Sequence, residues 1–240
     1  MKIIEKFAKK AADNFNNPGV TIAFLGDSVT QGCFDVFIKD DGAIETFFDK
    51  NSAYHNYVAR IFSVLYPTVP VSIINAGISG DNAPHALERM EEDVIKKNPD
   101  LTVVCFGLND CGGREEGLRR YKAALGEIFK KLKEAGSEVI FMTPNMMCTK
   151  VSCHIRDERI RAIAEDTAKR QNDGILDLYI ENARAVAKEN DVIICDCYEK
   201  WKALEKGGAD VTELLANRIN HPTQEMNWMF AVSLVETMFK

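Results

Sequence analysis

The chain has 240 residues, of which 46% are hydrophobic and 28% charged, and 30 basic against 36 acidic residues give a formal net charge of −6. This length supports one substantial hydrophobic core, and the composition is that of a globular protein rather than a disordered one. The acidic balance argues against nucleic acid or an anionic membrane as a partner, since both need a concentrated basic surface. We predict a single domain over residues 1–240.

The N-terminal segment and the cysteines indicate the compartment. Residues 1–19 are amphipathic and charged throughout, without the apolar stretch of a signal peptide, and no run of about 18 apolar residues follows. The seven cysteines are an odd number, and two of them fall in strand-like runs, which suits a reducing compartment. There is no CxxC pair, and the spacing of Cys195 and Cys197 is poor for zinc. The sequence therefore predicts a cytoplasmic protein without a structural metal.

Short apolar, β-branched runs alternate with segments of helical periodicity along the chain. Each apolar run is nearly continuous, as expected of a strand that is covered on both faces. The helical stripes end near Pro67, before Pro99 and at Gly136, which are typical helix-ending residues. In chain order we predict strand 20–25, helix 54–65, strand 71–75, helix 84–95, strand 101–106, helix 118–132, strand 138–143, helices 155–171 and 174–190, strand 191–196, and helix 223–239.

This alternation predicts an α/β fold. Strands joined through helices form parallel sheets with right-handed crossovers, so we expect a three-layer α/β/α sandwich with a five-stranded parallel sheet. In such folds, ligands bind at the carboxyl ends of the strands. The residues that directly follow each strand are therefore the ones to examine for function.

Polar and glycine-rich segments follow the predicted strands. They read "GDS" at 26–28, "NAGISGDN" at 75–82, "GLND" at 107–110 and, late in the chain, "NRINHP" at 217–222. Each segment alone is typical of a turn or a helix cap. Together they supply a hydroxyl nucleophile, an imidazole base and oxyanion donors, which is the set of groups that acyl transfer needs.

These segments also resemble a known family. "FLGDSVTQG", "NAGISGDN", "GLND" and "NHP" are similar to the four sequence blocks of the SGNH hydrolases, or GDSL esterases and lipases, and they occur in the family's order from about residue 20 to residue 235. The resemblance implies a flavodoxin-like strand topology, Ser28 as nucleophile and His221 as general base. It implies an oxyanion hole built from the backbone N–H groups of Ser28 and Gly80 and the side-chain amide of Asn109. No metal or cofactor is required.

One position departs from the family pattern. The third triad member is expected three residues before the histidine, as D-x-x-H, but Arg218 stands there. An arginine only donates hydrogen bonds and would repel an imidazolium, so it cannot replace the acid. Arg218 either pairs with a nearby acid and fixes the loop, or contacts a polar or carboxylate group of the substrate.

Three explanations of the missing acid remain open. A serine–histidine dyad can operate, with a backbone carbonyl or the side chain of Asn217 or Asn220 accepting the hydrogen of His221. An acid from elsewhere can substitute, and Asp196 is a candidate by position. Alternatively, the chain has lost catalysis and is a weak ligand-binding module that retains the pocket.

Two other folds with related sites fit less well. An α/β-hydrolase needs G-x-S-x-G, but the second glycine position is Thr30, and its serine follows several strands rather than the first. In a flavodoxin-like phosphate-binding module, Asp27 would repel the phosphate. The family resemblance implies short-acyl esters, often acetyl groups on carbohydrates. We expect a small-molecule acetyl ester of a polar or carbohydrate alcohol as substrate, with phenylalanines in the segment 33–51 serving as core, lid or wall.

Overall fold

The computed structural model describes residues 1–240 and has a five-stranded parallel sheet at its centre, in the order β4-β1-β5-β6-β7. Two further strands, β2 and β3, form a separate antiparallel hairpin. The strands are β1 Val20–Gly26, β2 Cys33–Ile38, β3 Ile44–Phe48, β4 Val71–Gly77, β5 Leu101–Cys105, β6 Glu138–Met142 and β7 Ile193–Cys195. The predicted α/β class and the five parallel strands are confirmed.

Nine α-helices surround the sheet, and short 3₁₀ turns lie at Lys50–Ser52, Ile95–Lys97 and Asp110–Gly113. None of the helices has both the length and the apolar character needed to cross a membrane. The helices are α1 Lys2–Ala12, α2 Ser28–Gln31, α3 Tyr54–Leu65, α4 Ala83–Asp93, α5 Arg114–Glu134, α6 Glu158–Asn172, α7 Ile175–Glu189, α8 Cys197–Lys206 and α9 Gln224–Met238.

The strand order determines where the strand ends meet. From β1 the chain crosses to β4 on one side and then returns past β1 to β5, so the crossovers run in opposite directions. Right-handed crossovers then place α3 and α9, which contact each other, on one face, and α4, α5 and α7 on the other. The end of β1 lies at the switch point of the sheet, where ligands bind in such folds.

Two glycines let the turn after β1 lie directly against the sheet. A Cβ on Gly26 would lie 2.1 Å from Thr30 Oγ1, and a Cβ on Gly77 would lie 2.3 Å from the backbone N of Gln31. Both distances are shorter than any side chain tolerates. A larger residue at either position would push α2 away from the strand ends, and Ser28 is the first residue of α2.

A continuous hydrophobic core of 57 buried residues joins the layers. It includes α1, a helix absent from our predicted elements, which is anchored by Phe7 stacked on Phe62 at 4.2 Å between ring centroids. Helix α8 was also absent from our predicted elements, and the strand predicted before it ends one residue beyond β7, at Asp196. Asp196 instead caps α8 by accepting the N–H of Glu199. The single domain over residues 1–240 stays a prediction.

The hairpin of β2 and β3 explains the phenylalanine-rich segment after Ser28. Val36 and Ile44 line the cavity above the strand ends, whereas Phe37 and Phe47 are about half exposed on the other side. At the hairpin turn, the carbonyl of Gly42 accepts a hydrogen bond of 2.7 Å from Arg159 Nη1 at the start of α6. The hairpin is therefore a wall that is tied to α6.

Candidate active site

Ser28 stands where the buried strand β1 turns into the short helix α2. Asp27 precedes it as the N-cap and accepts the N–H of Val29 at 3.0 Å. As the first helical residue, Ser28 has an N–H without an intrahelical partner. Thr30 ties α2 to α3, because its hydroxyl forms a hydrogen bond of 2.8 Å with the hydroxyl of Tyr54. The local sequence thus fixes both the hydroxyl and the N–H of Ser28 at the rim of the sheet.

The structure brings Ser28 and His221 together across 193 residues of chain. Ser28 Oγ lies 2.9 Å from His221 Nε2, and both residues are buried. Asn217 organises the loop that carries the histidine, since its Oδ1 accepts the backbone N–H groups of Ile219, Asn220 and His221 at 3.0, 2.9 and 3.0 Å. The imidazole is therefore held by a turn that one side chain closes.

The other ring nitrogen of His221 has no carboxylate partner. Nδ1 is buried and has no hydrogen-bond partner in the protein. Burial disfavours the charged imidazolium and lowers the pKa of His221 to about 4, while the Phe34 carbonyl opposes this shift. At neutral pH the imidazole is neutral and can accept a proton from Ser28.

The side chains considered as substitutes for the missing acid are engaged elsewhere. Asp196 binds Arg184 at 2.9 Å and accepts the hydroxyl of Thr143 at 3.0 Å. Asn217 uses its oxygen for the three amides of the loop and donates its Nδ2 to Asn220 Oδ1 at 3.0 Å. Asp196, Asn217 and Asn220 therefore do not supply an acceptor for His221 Nδ1.

Gly80 and Asn109 provide free donors near Ser28. Gly80 has a φ of +78°, and its N–H donates to no acceptor within the protein. Nothing lies within 4 Å of a Cβ built on Gly80, so the backbone conformation rather than crowding favours glycine there. Asn109 Nδ2 donates one hydrogen to the Asp81 carbonyl at 2.8 Å, which leaves its second hydrogen uncommitted. Ser28, Gly80 and Asn109 line the same cavity.

A buried ion pair, which the sequence reasoning missed, holds the loop that carries Gly80. The side chain of Asp81 is fully buried and accepts two hydrogen bonds from Arg89, at 2.6 and 2.8 Å, and one contact from His85 Nδ1 at 2.7 Å. Arg89 Nη2 also donates to the carbonyl of Gly26 at 3.2 Å, directly before the turn that carries Ser28. The eight-residue spacing of Asp81 and Arg89 across the start of α4 is the only sequence signal for this pair.

Two more buried carboxyls lie next to the site. Burial raises the pKa of Asp27 and of Asp110 to about 7 each, and neighbouring carboxylates add to both shifts. Asp110 Oδ1 accepts the N–H of Ala83 at 2.9 Å, while its Oδ2 is buried without a partner. Asp27 and Asp110, which are adjacent in sequence to Ser28 and Asn109, are therefore both partly protonated near neutral pH.

The cavity over Ser28 has a volume of about 270 Å³. The hairpin forms one wall, α6 another, and Leu108, Met147 and Ile219 complete an apolar lining around the polar groups. Arg218 and the candidate acid Asp196 lie outside it. The φ of Arg218 is +58°, its Nε lies 3.1 Å from Glu213 Oε2, and its Nη1 donates to the Leu215 carbonyl at 2.6 Å. Arg218 lies in an adjoining depression that shares a wall with the cavity.

A hydroxyl paired with a neutral imidazole at the carboxyl ends of a parallel sheet, with free N–H donors beside it, is the arrangement of a serine hydrolase. A family model agrees with this class. The GDSL-like lipase/acylhydrolase family matches residues 24–229, and the chain belongs to that family.

Individual relatives are acetyl-ester hydrolases. An acetylxylan esterase of Geobacillus stearothermophilus is 29% identical over 135 residues, a match that spans 52% of this chain and only 60% of that relative. A solved structure of an acetylxylan esterase from Geobacillus stearothermophilus matches with a TM-score of 0.67 and 23% identity, covering 92% of this chain and 94% of that one. A second solved acetyl xylan esterase gives a TM-score of 0.68 at 22% identity, covering 90% and 98%.

Proposed function

We propose that the protein is a serine carboxylic-ester hydrolase that removes short acyl groups, acetyl above all, from a carbohydrate or another polar alcohol. The observation that carries the proposal is the 2.9 Å contact between Ser28 Oγ and the neutral His221 Nε2. The names of the relatives and the modest cavity support a small ester. The seven free thiols, six of them buried, support our placing it in the cytoplasm.

The reaction proceeds in two halves. Ser28 Oγ attacks the ester carbonyl while His221 takes its proton, and the negative oxygen is bound by the N–H groups of Ser28 and Gly80 and by the Asn109 amide. His221 then gives the proton to the leaving alcohol, and the acyl group remains on Ser28. Water, activated by the same imidazole, attacks the acyl-enzyme and releases the acid.

The dyad makes a specific demand on the surroundings of His221. When the imidazole takes a proton, a triad acid would stabilise the cation, but here Nδ1 has no carboxylate partner and the backbone carbonyl of Phe34 is the group that favours the charged form. A carbonyl dipole stabilises the cation less than a carboxylate does, so the proton transfer is less favourable. In a serine protease, loss of the correct acid lowers kcat by about four orders of magnitude. We expect the turnover to be modest.

The test is covalent labelling together with turnover of a small aryl acetate. A fluorophosphonate should label Ser28 stoichiometrically, and Ser28→Ala should abolish both labelling and turnover. Ser63→Ala removes a surface hydroxyl that donates a hydrogen bond to the Arg60 carbonyl, and it should change neither the labelling nor the turnover. Absence of labelling combined with tight binding of acylated sugars would favour the second candidate, a binding module that retains the pocket. Undiminished turnover by Ser28→Ala would exclude the mechanism.

A further inference from the structure

The cavity over Ser28 has an unbalanced charge. Of the sixteen residues that line it, Arg170 is the only one with a formal charge at neutral pH, and none is an aspartate or a glutamate. His221 lines the same cavity, but it is neutral there because burial lowers its pKa to about 4. An ester that enters this cavity therefore meets one fixed positive charge and no fixed negative charge.

The guanidinium of Arg170 retains free donors. Nη1 donates to the sulfur of Cys111 at 3.7 Å, and Nη2 donates to the hydroxyl of Thr167 at 3.2 Å. Sulfur is a weak acceptor, and each terminal nitrogen carries a second hydrogen with no partner in the protein. The side chain is 15% exposed, so these donors are largely shielded from water.

The charge of Arg170 is only partly balanced by its neighbour. Its Nε lies 2.9 Å from Asp166 Oδ2 without the alignment of a hydrogen bond. Asp166 is half exposed and shares its carboxylate with Arg114, whose Nη2 donates to Oδ1 at 2.9 Å. Two arginines on one exposed carboxylate leave a net positive charge, and exposed pairs of this kind are weak.

We propose that Arg170 binds a carboxylate on the alcohol part of the substrate, so that acetylated sugar acids are preferred over acetylated neutral sugars. This inference rests on the proposed function, which places the acetyl group between Ser28, Gly80 and Asn109. The planar fork of an arginine fits the two oxygens of a carboxylate, and shielding from water strengthens such a contact.

The test compares two matched probes, a methyl glucoside acetylated at its ring hydroxyls and the methyl glucuronoside acetylated at the same positions. For the native protein, kcat/KM should be about tenfold or more higher for the glucuronoside. Arg170→Gln should lower kcat/KM for the glucuronoside about tenfold more than for the glucoside, which removes the preference. Lys169→Gln removes the same charge from the neighbouring residue of α6, which is exposed and pairs with Asp173, and should keep the preference.

The possible results separate the two proposals. Equal kcat/KM for both probes, or an unchanged preference in Arg170→Gln, would overturn the role of Arg170 and leave the esterase proposal standing. No Ser28-dependent hydrolysis of either probe would instead overturn the esterase proposal. If Arg170→Gln does not fold, inhibition of the native protein decides. Unacetylated methyl glucuronoside should inhibit hydrolysis of a small aryl acetate at a concentration about tenfold lower than unacetylated methyl glucoside does, and equal inhibition by the two would contradict the inference.

Discussion

The backbone carbonyl of Phe34 lies near the imidazole of His221 and favours its charged form, while Nδ1, where the D-x-x-H pattern would place a carboxylate, is buried without a hydrogen-bond partner. Phe34 belongs to β2, the first strand of the hairpin, so the hairpin contributes to the environment of the base as well as to the cavity wall. A carbonyl does not titrate. The protonation of His221 is therefore governed chiefly by burial.

The pH dependence of turnover follows from this environment. The pKa of His221 is lowered from 6.5 to about 4, so the imidazole is a competent base above about pH 4 and becomes protonated as the pH falls through that value. We expect kcat/KM for an uncharged aryl acetate to stay level from about pH 8 to about pH 5 and to be half lost near pH 4. Circular dichroism over the same range monitors the fold. A midpoint near 6.5 would contradict the burial argument.

Asn217 should control activity through the position of His221. Asn217→Ala removes the acceptor of three backbone N–H groups, and the displaced imidazole should lower kcat about 100-fold. Asn217→Asp is the matched variant, because it keeps the acceptor oxygen and adds a negative charge near the base. It should retain most of the activity and move the acidic limb of the pH profile upward. Equal kcat for the two variants would argue against a positioning role.

The pair of Asp81 and Arg89 should affect both stability and turnover. Arg89→Met leaves a fully buried carboxylate without its main partner, which costs about 3 kcal/mol in the free energy of unfolding. The loop with Gly80 should loosen, so kcat should fall. Asp93→Ala removes only the exposed partner of Arg89 and should cost less than about 1 kcal/mol. Urea denaturation and steady-state kinetics on both variants measure the difference.

Asp27 should make the protein less stable at alkaline pH. Its pKa is raised from 3.8 to about 7, so the folded state favours the protonated form, and this contribution is lost as the pH rises from about 4 through 7. Asp27→Asn should increase the free energy of unfolding by about 2 kcal/mol near pH 9, and the gain should shrink toward pH 5. Asp35→Asn, at an exposed position of the hairpin, is the control. A gain independent of pH would exclude titration of Asp27 as the cause.

We expect Arg218 to stabilise the loop that carries His221 and, in addition, to contact some substrates. Its φ of +58° suits glycine, so Arg218→Gly should be about 1 kcal/mol more stable than Arg218→Ala, although both lose the Glu213 pair. Urea denaturation measures this difference. If Arg218 also contacts substrates that extend into the adjoining depression, KM for those esters should rise in both variants. An unchanged KM for every ester tested would leave it a structural residue.

The sheet was predictable because its strands are nearly continuous apolar runs. Strand 20–25 matches β1 within one residue, and strand 71–75 matches β4 within two. The contact of Ser28 with His221 was predictable as well, since parallel strands bring their ends to one rim and two short motifs supplied complementary groups. The predicted strand 191–196 runs past the end of β7 at Cys195, because Asp196 caps helix α8 and does not pair in the sheet.

The remainder of the site depends on groups that leave little trace in a sequence. The group that favours the charged form of His221 is a backbone carbonyl, which every residue possesses, so no residue type at position 34 could indicate it. The hairpin was hidden because acidic residues and Gly42 divide the segment 33–51 into two short alternating runs. The helical pattern of α6 does not distinguish a polar residue that lines a cavity from one on the open surface. Only the three-dimensional structure shows that Arg170 lines the cavity.

The hydrogen bond from Arg159 to the Gly42 carbonyl has a consequence for how the substrate range of such a protein can change during evolution. The groups proposed to carry out chemistry lie on loops anchored by the central sheet, whereas the hairpin and α6 that enclose the cavity lie outside it and hold each other through this contact. Insertions or exchanges in these two segments can alter which alcohols fit without disturbing the sheet. Substrate range can therefore change through these segments while Ser28, Gly80 and Asn109, which follow strands of the sheet, keep their positions.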